Sequence, residues 1–91
     1  MHRGEGESLH LVQVRAAIRP HFHRRHVETV CILAGAGVMT VAEEEIQVHE
    51  GSVVQVPAGM VHSFRATGGR TCVALVIYSP PFDGEDRQFI E

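Results

Sequence analysis

Apolar and polar positions along this chain come in short runs, broken by glycine, proline or clusters of charge. No window keeps the i, i+3, i+4 apolar spacing of an amphipathic helix. Runs of Val, Ile and Leu bounded by turn residues are the signature of strands. The pattern predicts strands over Leu9–Val14, His21–His23, Glu28–Ala34, Val38–Val41, Glu45–Val48, Ser52–Val56, Met60–Arg65 and Thr71–Tyr78. The first of these is apolar at Leu9, Leu11 and Val14, with imperfect alternation. Gly35-Ala36-Gly37 is expected to turn a hairpin, Ala42–Glu44 and Gly68-Gly69 to make further turns, and Pro80-Pro81 to end the last strand. Pro20 cannot donate to a ladder and belongs at a strand start or edge. Strands at near-regular spacing with no helix predict an all-β fold, one closed barrel or jelly roll. The reading divides the chain into a loosely ordered segment 1–8, a barrel domain 9–79 and a tail 80–91.

Composition narrows the class. Ninety-one residues make one domain, and the 44% apolar fraction is enough for a small core without Trp. The net charge is −3 and all eight cationic side chains are Arg, with no basic stripe, so nucleic acid is not an expected partner. The uncharged stretch from Thr29 to Ala42 is too short to span a bilayer, and the polar start has no leader-like apolar run. Cys31 and Cys72 do not make a disulfide framework. A cytoplasmic protein is expected. Exposed strand edges on so small a domain lead us to expect a homodimer.

The candidate chemistry lies in His21-Phe22-His23, with Glu28 five residues later and His62 far downstream. Side chains at i and i+2 of a strand share a face, with Cα atoms about 6.6 Å apart. Two imidazoles so placed can converge on one ion, and Glu28 could add a carboxylate from a neighbouring strand. A His-x-His pair alone is weak evidence, because two surface or core imidazoles would look the same.

The spacings together say more. His21-x-His23-x4-Glu28-x6-Gly35, followed by Gly51-x5-Pro57-x-Gly59-x2-His62, resembles the two signature motifs of the cupin superfamily at eight positions in register. The run from His21 to Gly35 looks like the first motif of small single-domain cupins, and Ser79–Asp86 resembles an ending common among them. The likeness spans about residues 9 to 87. It implies the double-stranded β-helix, or jelly-roll, barrel of that family, with His21, His23, Glu28 and His62 as metal ligands. Three imidazoles and one carboxylate suit one divalent Mn, Fe, Co, Ni, Cu or Zn ion per chain, with open positions if it is six-coordinate. Arg15 replaces the glycine that usually opens the first motif, and Ala66 the asparagine that often closes the second. Neither position supplies a ligand.

Around these four, Val30, Ile32 and Phe64 share parity with ligands and are expected to line the interior, whereas Cys31 should face away; parity leaves Cys72 open. Gly35 and Gly37 are expected to permit the hairpin, and Pro57-x-Gly59 to aim His62 inward. His26, Arg24 and Arg25 occupy the break between ligand-bearing strands. His26 is read as a solvated loop residue in preference to an acid–base group, and the two arginines as a solvated turn in preference to an anion clamp. His2, His10 and His49 are read as surface residues, and Glu43–Glu45 as a solvated turn. The expected function is a metalloenzyme acting on a small organic molecule, of dioxygenase, isomerase or lyase type. The alternative is a binding or sensing module with a structural metal, and a metal-free isomerase or epimerase ranks behind both. Fold alone does not choose between them.

Overall fold

The computed structural model describes residues 8–79 in full, together with the backbone of residues 2–3 and 88–89. Its strands are β1 (His2–Arg3), β2 (Ser8–Val14), β3 (Ala17–Phe22), β4 (Val27–Ala34), β5 (Ala36–Val41), β6 (Glu44–His49), β7 (Val53–Val56), β8 (His62–Ala66), β9 (Cys72–Ser79) and β10 (Gln88–Phe89). They form two antiparallel sheets packed face to face as a jelly roll. The first has the order β1-β2-β9-β4-β7 and the second β10-β3-β8-β5-β6. No helix among the described residues is long and apolar enough to cross a membrane. Most of the segment read as a tail, and with it the motif-like ending after Ser79, lies outside the described residues, as does the side chain of His2.

Seven of the eight longer strands fall close to where the sequence pattern puts them; β3 instead runs from Ala17 to Phe22, through Pro20, and leaves His23 just beyond its end, and three further local readings change. The glycines after β4 do not make a hairpin, because β4 and β5 belong to opposite sheets. Gly35 is instead the corner between sheets, at a φ of +83° that suits glycine. Gly37 lies inside β5, where a Cβ would strike the Phe64 ring and stand 2.6 Å from the Arg65 carbonyl oxygen. It is glycine to make room for Phe64. In β2 the inward register carries Ser8, His10, Val12 and Val14, which pair with Tyr78, Val76, Ala74 and Cys72. Leu11 points outward and is 63% exposed, so Leu9 and Leu11 do not mark the core face of that run, whereas Val14 does lie on it.

The core is built by inward positions of both sheets, chiefly Val30, Ile32, Val56, Ala74 and Val76 of the first and Met39 and Val48 of the second. Burying one such aliphatic side chain contributes about 1.5–3 kcal/mol. Cys72 is buried on this inner side and burial pushes its thiol pKa up, whereas Cys31 is half-buried on the outer side. One end of the interior is different. It holds the buried polar residues Ser8, His21, His23, His26, Glu28 and His62.

Candidate metal centre

Each ligand candidate reaches that end for a local reason. β3 loses its regular register between Ile18 and His21, around Pro20, which has no N–H to give to the ladder. Beyond this bulge His21 sits directly opposite His62 of β8, and the two rings stand 4.2 Å apart. His23 follows just after β3, and its carbonyl accepts a 2.7 Å hydrogen bond from the Gly59 N–H, tying it to the turn before β8. Gly59 makes that turn at a φ of +83°. Glu28 enters from the first sheet, on the same face of β4 as Val30 and Ile32. The four residues therefore come from both sheets, three imidazoles from one and the carboxylate from the other.

All four are buried, and one candidate ligand atom from each lies within 4.8 Å of the others. His62 Nε2 stands 2.6 Å from Glu28 Oε2, and His23 Nε2 3.5 Å from the same oxygen. These three atoms meet without hydrogen-bond directionality, although each is buried. That arrangement is costly for polar atoms unless something else satisfies them. The other side of two rings is fixed. His21 Nδ1 donates to the Arg19 carbonyl at 2.8 Å, and His62 Nδ1 to the Met60 carbonyl at 3.0 Å. A carbonyl oxygen only accepts, so Nδ1 carries the proton and Nε2 keeps its lone pair for the centre.

The electrostatics favour the ligating forms. Burial lowers the His21 pKa to about 4, which keeps the ring neutral at ordinary pH. Burial alone would raise the Glu28 carboxyl, but the His23 and His62 imidazoles against it outweigh that and hold it at about 2. A neutral His21 and an ionised Glu28 are the forms in which those two groups would bind a metal. The donor set and its convergence fit a divalent transition ion.

Two residues gain a place at the centre that the sequence did not give them. Tyr78 is buried, pairs in register with Glu28 across β9 and β4, and points its hydroxyl at Glu28 Oε1 from 3.5 Å. Its ring also packs edge-on to His23 at 5.2 Å. His26 is 3% exposed and not a solvated loop residue, since it packs against the rings of His23 and Tyr78 at 6.4 and 6.2 Å. His10 likewise is half-buried and faces inward, edge-on to Tyr78 at 5.2 Å with Nε2 3.0 Å from Ser8 Oγ. Arg24 and Arg25 are exposed, with the Arg24 guanidinium 6.0 Å from the Phe22 ring centre, and His49 and Glu43–Glu45 are exposed as expected.

Beside the centre lies a partly open cavity of about 70 Å³. Its wall runs from His21, His62 and Glu28 to Ile32, Met39 and Cys72, with Phe64 also lining it. A space of that size admits a diatomic gas, a few waters or one small substituent of a substrate. An apolar wall next to a charged centre strengthens electrostatic contacts there by excluding water.

The model of the cupin domain family matches residues 8–78, most of the sequence. The chain belongs to the cupin family. This cupin is 34% identical to an uncharacterized protein of Aquifex aeolicus over 84 residues, 92% of this chain and 69% of the other. It is 42% identical to the quercetin 2,3-dioxygenase of Bacillus subtilis over 63 residues, which cover 69% of this chain and only 19% of that enzyme. Among solved structures, a Streptomyces Pac13 variant with uridine superposes with a TM-score of 0.86 at 15% identity, over 99% of this chain and 72% of that one. Pac13 is described as a nucleoside dehydratase. At that identity the likeness concerns the fold.

Proposed function

We propose that this cupin is a metal-dependent enzyme acting on a small organic molecule, of dioxygenase, isomerase or lyase type. In this reading His21, His23, Glu28 and His62 hold one divalent transition ion per chain. The observation that carries it is the convergence of four buried donor atoms within 4.8 Å, with the tautomers of His21 and His62 set by backbone carbonyls. When bound, such an ion supplies Lewis-acid polarisation or a site for O₂ and substrate. The chain's own residues do the rest. Tyr78 engages one oxygen of Glu28 and leaves the other towards the imidazoles. Val30, Ile32, Met39 and Phe64 keep the adjoining space apolar. The partial likeness to a quercetin dioxygenase supports a catalytic rather than a purely structural metal, without naming a substrate.

The test is elemental analysis of the untagged protein beside Glu28→Ala and His62→Ala. The expected result is about one transition metal per chain in the wild type and nearly none in the variants. X-ray absorption on the loaded protein should then find six-coordination, with light-atom scatterers beyond the four side chains. Absence of metal after reconstitution would sink the reading, and a closed four-coordinate site would replace it with a structural metal.

A further inference from the structure

Two hollows in this molecule share a wall. One is the cavity beside the centre, and the other is a groove on the outer face of the second sheet, edged by exposed Arg19, Arg65 and Glu45. Ile18, Ser63 and Phe64 line both. The β5–β6 and β5–β8 ladders of this sheet keep their register throughout, so the sheet is closed there. The shared wall falls instead at the bulge of β3, where the ladder to β8 holds up to Ile18–Phe64 and resumes at His21–His62. Across that gap Arg19 and Pro20 stand against Ser63 alone. Pro20 has no N–H to give, and the Arg19 carbonyl accepts from His21 Nδ1 at 2.8 Å. A bulge of this kind opens the ladder locally. The outward side chains on either side of it, Ala17 and Ser63, are small. Phe64 is the largest group in the wall, and its ring has room because Gly37 carries no Cβ.

We propose that the bulge is a side entrance, through which small uncharged molecules pass from the outer groove into the cavity, with the Phe64 ring as its gate. Size follows from the cavity. Its 70 Å³ has room for roughly five water-sized groups. Charge follows from the two linings. An ion is held among Arg19, Arg65 and Glu45 in the groove, because an unpaired charge is strongly disfavoured against an apolar wall. Dioxygen, water and short neutral organic molecules meet both limits. Phe64 lies two positions from His62, and Ile18 lies three from His21 across the bulge. A molecule entering between them therefore arrives beside the ligands rather than through them. Tyr78, Val76, Ala74 and Cys72 are successive inward positions of β9, and all four line the cavity. It thus extends along the strand from the level of Glu28 towards the Cys72 thiol. The entrance does not depend on the ion, whereas its use in bringing a co-reactant to the ion rests on the function proposed above.

Cys72 reports on the entrance, because a buried thiol reacts only as fast as a reagent reaches it. The experiment times its modification by methyl methanethiosulfonate, small and uncharged, and by the larger cationic trimethylammonium-ethyl analogue. Peptide mass spectrometry separates Cys72 from Cys31, which lies on the outer side of the other sheet and serves as the reference. The wild type is compared with Ser63→Ile, which narrows the gap with a side chain suited to a strand, and Phe64→Ala, which removes the gate. The neutral reagent should modify Cys72 roughly tenfold more slowly in Ser63→Ile and roughly tenfold faster in Phe64→Ala, with Cys31 unchanged. The cationic reagent should leave Cys72 nearly untouched in all three proteins. The outcome is the same with or without chelator, so it stands apart from the test of the metal. If Phe64→Ala admits both reagents alike its fold has opened, and Ser63→Ile then decides. An unchanged neutral rate in Ser63→Ile would overturn the proposal. So would a wild-type Cys72 that the two reagents reach equally fast.

Discussion

The second sheet meets water with Arg19, Arg65 and Glu45 and sends His21 and His62 inward, whereas the first is apolar outside and sends Glu28 and Tyr78 inward. Neither sheet owns the centre. Three imidazoles on one side face a carboxylate on the other, so the charges and lone pairs are complementary only when the sheets are packed. An ion held there would fasten one sheet to the other, and its binding free energy would add to that of folding. The difference also separates two uses of apolar residues. Inside, they line the cavity beside the centre, and outside, among the described residues, they make an uncharged face on the first sheet.

Removing the ion should give the largest effect, because it cuts the link between the sheets. A ligand present at about 1,000 times its dissociation constant stabilises by about 4 kcal/mol. For a domain of this size each kcal/mol moves Tm by about 4–8 °C. Chelation should therefore lower Tm by about 15 °C or more in the wild type and hardly at all in His62→Ala. Equal melting with and without chelator would show that the two sheets hold together without metal.

Next come substitutions that separate inner from outer apolar positions. Ile32→Ala deletes a side chain 3% exposed and should cost about 2–5 kcal/mol in urea unfolding. Leu11→Ala, on the outward side of β2, should cost under 1 kcal/mol. Similar costs at both sites would erase the distinction between the faces.

How far these features were legible in the sequence follows from the same physics. Parity within a strand is local, so Val30, Ile32 and Phe64 could be placed beside the ligands, and Cys31 on the far side, from spacing alone. Register between strands is not local. Tyr78 stands opposite Glu28 because β9 pairs with β4, fifty positions away in the chain, and nothing in either run announces it. His10 faces inward by the same kind of pairing, against the apolar cue of Leu9 and Leu11. The buried position of His26 escaped because a break between strands is ordinarily solvated, and here the Tyr78 ring covers it. Gly37 was taken for a turn residue because its reason, the Phe64 ring, lies on another strand.

Acid should loosen the contact between the sheets in the metal-free protein, and the two groups act in separate windows. His21 has a folded pKa of about 4 against an ordinary 6.5, so the unfolded chain binds the extra proton first. Stability is unaffected above about pH 6.5 and falls as pH drops from there towards 4. Glu28 is held at about 2 against 4.5, so its contribution is present above pH 4.5 and is lost as pH falls towards 2. Urea midpoints with chelator should decline from pH 7 to 4, and His21→Gln should flatten the upper part of that decline. A flat wild-type profile would mean that His21 is not buried neutral.

The last comparison concerns the two positive-φ positions that flank β5. Gly35 makes the corner between sheets, where a Cβ would come within 2.8 Å of the Thr71 carbonyl oxygen and 2.9 Å of the Cys72 Cα, both backbone atoms. Ala42 turns the β5–β6 hairpin within the second sheet at a φ of +55°, its N–H donating to the Val61 carbonyl at 2.8 Å. Gly35→Ala adds steric conflict to an unfavourable dihedral and should destabilise by about 1–3 kcal/mol. Ala42→Gly removes the unfavourable dihedral and should gain a few tenths of a kcal/mol, since the entropy of the added glycine offsets most of the roughly 1–2 kcal/mol relieved. Opposite signs from the two exchanges would locate the constraint where the chain passes between sheets rather than where it turns within one. A loss at Ala42 as well would mean that the hairpin needs its side chain, and that the sheets are limited by the same kind of turn.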